Sequence, residues 1–205
     1  MRKVAFVLIL GATSCSVIQS ASPLTASPLT TSPLAILPLT TLPLPILPLP
    51  TIPDAIKVPA GQSLARAYLG RGTQNYACQK DAASGAYTWA FQAPEAELFG
   101  AQNVKVATHY GGPTWEAPDG SKVVGAVQAR SESAPSIPWL LLAAKSTAGS
   151  GLFGKTTFIQ RLSTTGGAAP TGGCDAAAGQ VSRVPYTSVY AFYEAAVVST
   201  PPPAY

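Results

Sequence analysis

Charge is scarce in this chain, and over one long stretch it is missing altogether. The 205 residues hold 13 Lys and Arg and 9 Asp and Glu, and none of these lies between Val4 and Pro53. The basic residues that do occur are scattered, which excludes the stripe or patch that a nucleic-acid binder presents. Histidine occurs once and cysteine three times, too few for a four-ligand structural zinc site if two cysteines pair. No GxSxG elbow is present, and the one GxGxxG run, Gly149 to Gly154, sits in no βαβ pattern, so no serine-hydrolase nucleophile turn and no dinucleotide site is expected. No 15-residue window combines 3.6-residue apolar spacing with caps, which leaves little room for helices. No metal and no cofactor is expected from this inventory.

The uncharged stretch has two parts. Arg2 and Lys3 precede an apolar run from Val4 to Ala12, and Ala12-Thr13-Ser14 supplies small residues for a signal peptidase. The run falls well short of the roughly 20 apolar residues that span a bilayer. Residues 1–14 therefore read as a signal peptide, and the mature chain is expected outside the cytoplasm, with no transmembrane span. Cys15 comes directly after, where a bacterial lipoprotein leader carries its acylated cysteine, although Ala12 stands where Leu or Val is usual. Lipidation of Cys15 and simple secretion both remain open. From Ser22 the chain repeats a five-residue unit (SPLTA, SPLTT, SPLAI, LPLTT, LPLPI, LPLPT) up to Pro53. Each proline fixes φ and removes a backbone donor, and each pushes the preceding residue towards extended geometry. Residues 15–53 are thus expected to be a disordered, polyproline-II-like tether that could reach up to ~120 Å at ~3.1 Å per residue. Its Leu residues could pack on lipid, on a wall polymer or on the domain itself, or the repeat could serve only as a spacer.

Residues 54–198 are expected to form one folded domain, with 199–205 a flexible tail. Short extended segments alternate with Gly, Pro, Asn and Asp clusters. Candidate strands are Leu64–Leu69, Thr73–Gln79, Tyr87–Gln92, Val104–Tyr110, Lys122–Ala129, Trp139–Ala144, Thr156–Leu162 and Tyr186–Ala195. Pro118-Asp119-Gly120-Ser121 has the chemistry of a hairpin turn, and Pro94 to Leu98 could form one helical turn. The expected fold class is all-β, a single sandwich or jelly-roll-like barrel. With Cys15 removed or acylated, Cys78 and Cys174 are an even pair in an exported domain. A disulfide is the expected state, two buried thiols the alternative.

Several motifs carry possible chemistry. Gly149 to Thr156 satisfies the pattern GxxxxGK[ST], but a phosphate loop must open a helix, and Thr157-Phe158-Ile159 favours a strand. A loop between strands is the expectation. His109 lies near Glu116 and Asp119 in sequence and could act as a general base oriented by either carboxylate. A histidine bonded to nearby backbone is the commoner outcome. The carboxylates Glu95, Glu97, Glu116 and Asp119 could serve a glycosidase only if a pair faced across a cleft. Trp89, Trp139, Tyr190 and Phe192 are expected to fill the core. Trp115, beside its Gly-Pro turn, is the aromatic expected to be exposed and to stack on a ligand.

Three segments carry a resemblance: Gly72-Thr73-Gln74-Asn75-Tyr76-Ala77-Cys78, His109-Tyr110-Gly111-Gly112-Pro113-Thr114-Trp115, and Asp119-Gly120-Ser121. Ile137-Pro138-Trp139, Gln160-Arg161-Leu162, Thr165-Gly166-Gly167 through Cys174, and Val184-Pro185-Tyr186 continue it in order. The chain resembles an uncharacterised family of exported bacterial and fungal proteins, domain of unknown function 3455, over about residues 62–194. The resemblance implies export and one β-rich domain, and no reaction. Some fungal members carry a malate dehydrogenase label, which the absence of a βαβ pattern does not support. The expected function is a non-catalytic exported or surface-tethered domain that binds an envelope or wall polymer, a glycan or a small apolar ligand. The alternative is an extracellular hydrolase-type enzyme centred on His109 with Glu116 or Asp119.

Overall fold

Side chains alternate across a strand, so residues two apart share a face. In the last strand this period sends Tyr186, Ser188, Tyr190 and Phe192 to one buried side, and Val189, Ala191 and Tyr193 to the other. The computed structural model describes residues 49–197, and among them lie eight such strands. They are β1 (Gln62–Lys80), β2 (Tyr87–Phe99), β3 (Lys105–Tyr110), β4 (Thr114–Glu116), β5 (Lys122–Ser133), β6 (Ser136–Ala148), β7 (Phe158–Gly166) and β8 (Val181–Ala195). Each pairs antiparallel with its neighbours in the chain, and β1 closes the sheet on β8. The all-β expectation holds. The sheet is a closed barrel in chain order, without the Greek-key crossings of a jelly roll. The signal peptide, Cys15, most of the proline tether and the 199–205 tail lie outside the described residues.

Two local expectations need correction. Leu64–Leu69 and Thr73–Gln79 form one strand, β1, because Gly70-Arg71-Gly72 continues extended. Those glycines serve close approach: a Cβ on Gly72 would lie 2.1 Å from the Glu95 carbonyl oxygen, and one on Gly70 2.6 Å from the Tyr190 ring. Pro94 to Leu98 is no helical turn but the second half of β2. Ala96 and Leu98 face the interior while Glu95 and Glu97 stay in solvent, a period-two pattern that overrides the helical leaning of Glu and Ala.

The barrel has a filled end and an open one. Leu98, Ala107, Val123, Ile159 and Phe192 fill the first, and Phe153 enters it from the β6–β7 connection. Phe153 is 0% exposed, its ring 4.7 Å from that of Phe192. Burying such a side chain contributes about 1.5–3 kcal/mol. The connection is held by the β4–β5 turn: Asp119 accepts from the Leu152 and Ser121 amides, each at 2.8 Å, and Ser121 Oγ accepts from the Phe153 amide at 3.1 Å. This plug is the Gly149 to Thr156 stretch. It opens no helix, β7 comes after it, and Lys155 is exposed, so the loop expected between strands is what forms.

A second apolar cluster lies on the outer wall. Ile56, in a single 3-10 turn at Asp54–Ile56, packs with Leu49, Ile52 and Val58 against Ala67, Leu141, Leu162 and Ala191. Gln160, buried on this outer face, donates to the Ile56 carbonyl at 2.6 Å and accepts from the Tyr193 hydroxyl at 2.7 Å. The described chain thus packs on the wall from Leu49, ahead of the expected domain start at Asp54. Across the barrel, Cys78 near the end of β1 is bridged to Cys174 in the β7–β8 connection, with Cα atoms 5.8 Å apart. The paired state is the one formed.

Candidate binding chamber

Towards the open end the interior is not filled. A chamber of about 500 Å³ remains between β1, β2, β3–β4, β5, β6, β7 and β8. Its wall is largely apolar: Tyr76, Pro94, Pro113, Trp115, Leu140 and Leu142 contribute most of it. Phe91 and Val127 also line it, yet Phe91 is 52% exposed and Val127 nearly as much, so they mark the mouth. Phe91 reaches this place because β1 and β2 slip register between Asn75 and Tyr76, and its ring meets that of Tyr76 edge-on at 5.6 Å.

Besides Gln92 and Arg130, polar side chains that line the same space are Gln74, His109, Arg161 and Tyr190. These last four occupy inward positions of their strands, where period two would ordinarily place apolar residues. His109 sits on β3 directly opposite Trp115 on β4. The two rings stack at 4.3 Å, and Tyr190 meets both edge-on. His109 is 3% exposed, and its Nδ1 donates to the Thr114 carbonyl at 2.8 Å, which fixes the neutral tautomer with Nε2 bare. Burial drives the imidazole pKa down to about 3, against the Thr114 hydrogen bond, and the Arg161 cation lowers it further. Such an imidazole is too weak a base for proton transfer near neutral pH.

Arg161, on β7, donates from Nε and Nη2 to the Pro138 carbonyl at 3.1 and 2.8 Å. The residue lines the chamber beside Tyr190. The ion pairs among the described residues join other partners: Lys57 with Asp54, Arg66 with Glu194, Lys105 with Glu97 and Arg183 with Glu95. Among the described residues no Asp or Glu lines the chamber, while Arg130 joins Arg161 there. Tyr190 shares a 2.9 Å hydrogen bond with the Tyr186 hydroxyl, and burial raises both phenol pKa values. Gln74 is 2% exposed and lies beside Tyr186, yet its Nε2 has no hydrogen-bond partner among the described residues, and neither has the indole nitrogen of Trp115.

The residues singled out from sequence are thus divided. His109 and Trp115 come together in the chamber wall. Trp115 is 1% exposed, so the expectation of a surface platform is wrong: strand alternation turns it inward despite the adjacent Gly-Pro turn. Glu116 and Asp119 are elsewhere. Glu116 accepts from the exposed Tyr110 hydroxyl, and Asp119 holds the plug, its pKa lowered chiefly by the hydrogen bonds from Ser121 and Leu152. Neither carboxylate orients the imidazole. Gln74, Arg161 and Tyr190 do not stand out as site residues in the sequence. Their signal is polarity at inward positions, legible only once register is known.

Among the described residues, fold and site together define a closed eight-stranded β-barrel, plugged at one end and open on an interior chamber at the other. The chain belongs to the family described as protein of unknown function (DUF3455), whose profile matches residues 59–194. No curated protein and no solved structure matches it.

Proposed function

We propose that this protein is an exported, non-catalytic binding protein that takes one small apolar ligand into the open end of its barrel. The chamber is the observation that carries the reading. Small-molecule pockets are concave, mostly apolar and about 300–1,000 Å³, with a few convergent polar groups, and the space behind Phe91 and Val127 has that character. Eight-stranded barrels are wide enough to hold one such ligand. A polymer or glycan would need aromatic rings on an open face, whereas Trp115 is inside. The hydrolase reading loses its support because His109, Glu116 and Asp119 bond separately. Export is supported by the leader and tether in the sequence, and the Cys78–Cys174 bridge suits an oxidising compartment. Secretion or anchorage through Cys15 both fit, and mass spectrometry of the mature N-terminus separates them.

The test is binding of a neutral apolar dye, Nile red, to the mature protein. One saturable site is expected, with a change in Trp115 emission that is lost in Trp115→Phe. Val127→Trp, which narrows the mouth, is expected to weaken dye binding at least tenfold with the fold unchanged by circular dichroism. A folded protein that binds neither the dye nor any member of an apolar compound panel would refute the reading.

A further inference from the structure

The chamber's polar groups are unbalanced in kind. Arg161 lines the chamber beside Tyr190 and has no carboxylate partner among the described residues; its bonds to Pro138 go to a neutral carbonyl. Gln74 Nε2 and Trp115 Nε1 are buried donors without acceptors among the described residues. Arg130 adds a second cation nearer the mouth, and no described carboxylate lines the space. Neutral acceptors are present, among them Nε2 of His109, but every charged side chain in the lining is a cation. A buried donor without a partner is costly, of the order of a lost hydrogen bond, and so is a cation without a counter-charge. The missing partner is an acceptor with negative charge.

From this imbalance we infer that the ligand is an amphiphile with one oxyanion head group, held at Arg161 and Gln74, and an apolar body lying along Trp115, Leu140 and Leu142 towards Phe91. The inference rests on the apolar-ligand reading above and adds the head group. Arginine presents paired N–H donors that match a carboxylate or phosphate, and such charge-assisted bonds are roughly twice as strong as neutral ones. His109 and Tyr190 lie close enough to feel the Arg161 charge, so the head-group end of the chamber is where the polar side chains converge. Trp115, stacked on neutral His109, forms the boundary between that end and the plug, where it meets Phe192 edge-on at 5.9 Å.

Displacement of Nile red from the mature protein by decanoate, decyl phosphate and decan-1-ol tests this, with every compound kept below its micelle concentration. Decanoate or decyl phosphate is expected to bind at least tenfold more tightly than decan-1-ol at pH 7. A preference for decanoate identifies a free carboxylate as the head group, and a preference for decyl phosphate a phosphate one; both uphold an oxyanion site. Arg161→Gln is expected to abolish the preference, bringing both anions to the affinity of decan-1-ol in the same variant. Should that variant fail to fold, the unaltered protein still decides. Between pH 7 and 4 a carboxylate ligand begins to take a proton, while burial keeps His109, Tyr76 and Tyr190 neutral. The decanoate preference is therefore expected to shrink as pH falls. Equal binding of the alcohol and both anions, or a decanoate preference indifferent to pH, would overturn the head-group assignment while leaving the apolar chamber intact. Absence of binding by the dye and all three chains would overturn the chamber reading itself.

Discussion

His109 is the only histidine in the chain, and its burial has a measurable consequence for stability. The folded imidazole stays neutral down to about pH 3, whereas an unfolded one takes a proton near pH 6.5. Between those values the unfolded state binds more protons, so the stability contribution is complete above pH 6.5 and is lost as pH falls towards 3. At ~1.4 kcal/mol per pH unit, lowering the pH from 6.5 to 5 should cost about 2 kcal/mol. Urea unfolding at the two pH values is expected to show that loss in the native protein and not in His109→Gln. The slope above pH 5 belongs to His109, because Asp81 and Asp119 have lowered pKa values and titrate further down. The same residue shows why chemistry is hard to read from this sequence. A His with Glu and Asp close behind it looks like a catalytic set, but alternate residues of β3 and β4 point to opposite sides of the wall. His109 and Trp115 go inward, Tyr110 and Glu116 outward.

Among the elements, the β6–β7 connection acts as a stopper for one end of the barrel. Phe153→Ala removes a fully buried ring and is expected to cost about 3–5 kcal/mol in denaturant unfolding. Because the chamber lies towards the other end, Nile red affinity of the folded Phe153→Ala protein should stay within about twofold of the native value. Most strands are legible from alternation bounded by turn residues: Val104–Tyr110 corresponds to β3, and Lys122–Ala129 and Tyr186–Ala195 lie within β5 and β8. The errors have physical causes. β4 has three residues between two turns, too few for a period to show. Gly70 and Gly72 resemble turn residues and are instead the smooth patches that let Tyr190 and β2 come close. Closure is invisible locally, since β1 and β8 meet across more than a hundred residues of sequence. The inward polar set of Gln74, Arg161 and Tyr190 depends on that closure and cannot be assembled before it.

For the whole molecule, the β1–β8 seam and the Cys78–Cys174 bridge secure the same region from two sides. The bridge spans 96 residues, and loop-closure entropy for a length near 100 gives about 4–5 kcal/mol. The double variant Cys78→Ser, Cys174→Ser is expected to melt well below the native protein in a thermal scan. Added reductant should lower the native Tm towards that of the variant and leave the variant unchanged. Identical melting with and without reductant, in a protein shown by mass to be reduced, would remove the bridge from the account of stability.

The strap at Leu49 to Val58 also has a mechanical meaning. Gln62 pairs with Ala195 beyond Phe192, so the barrel receives and releases the chain at its plugged rim, and the strap lies along the side wall. A pull along the chain arriving at Leu49 is therefore borne first by the Ile56–Gln160 bond and the apolar contacts around it, then by that rim. Phe91 and Val127 lie on neither stretch of this load path. A load applied at Leu49 would be taken up along the side wall and the plugged rim, and the doorway would keep its shape.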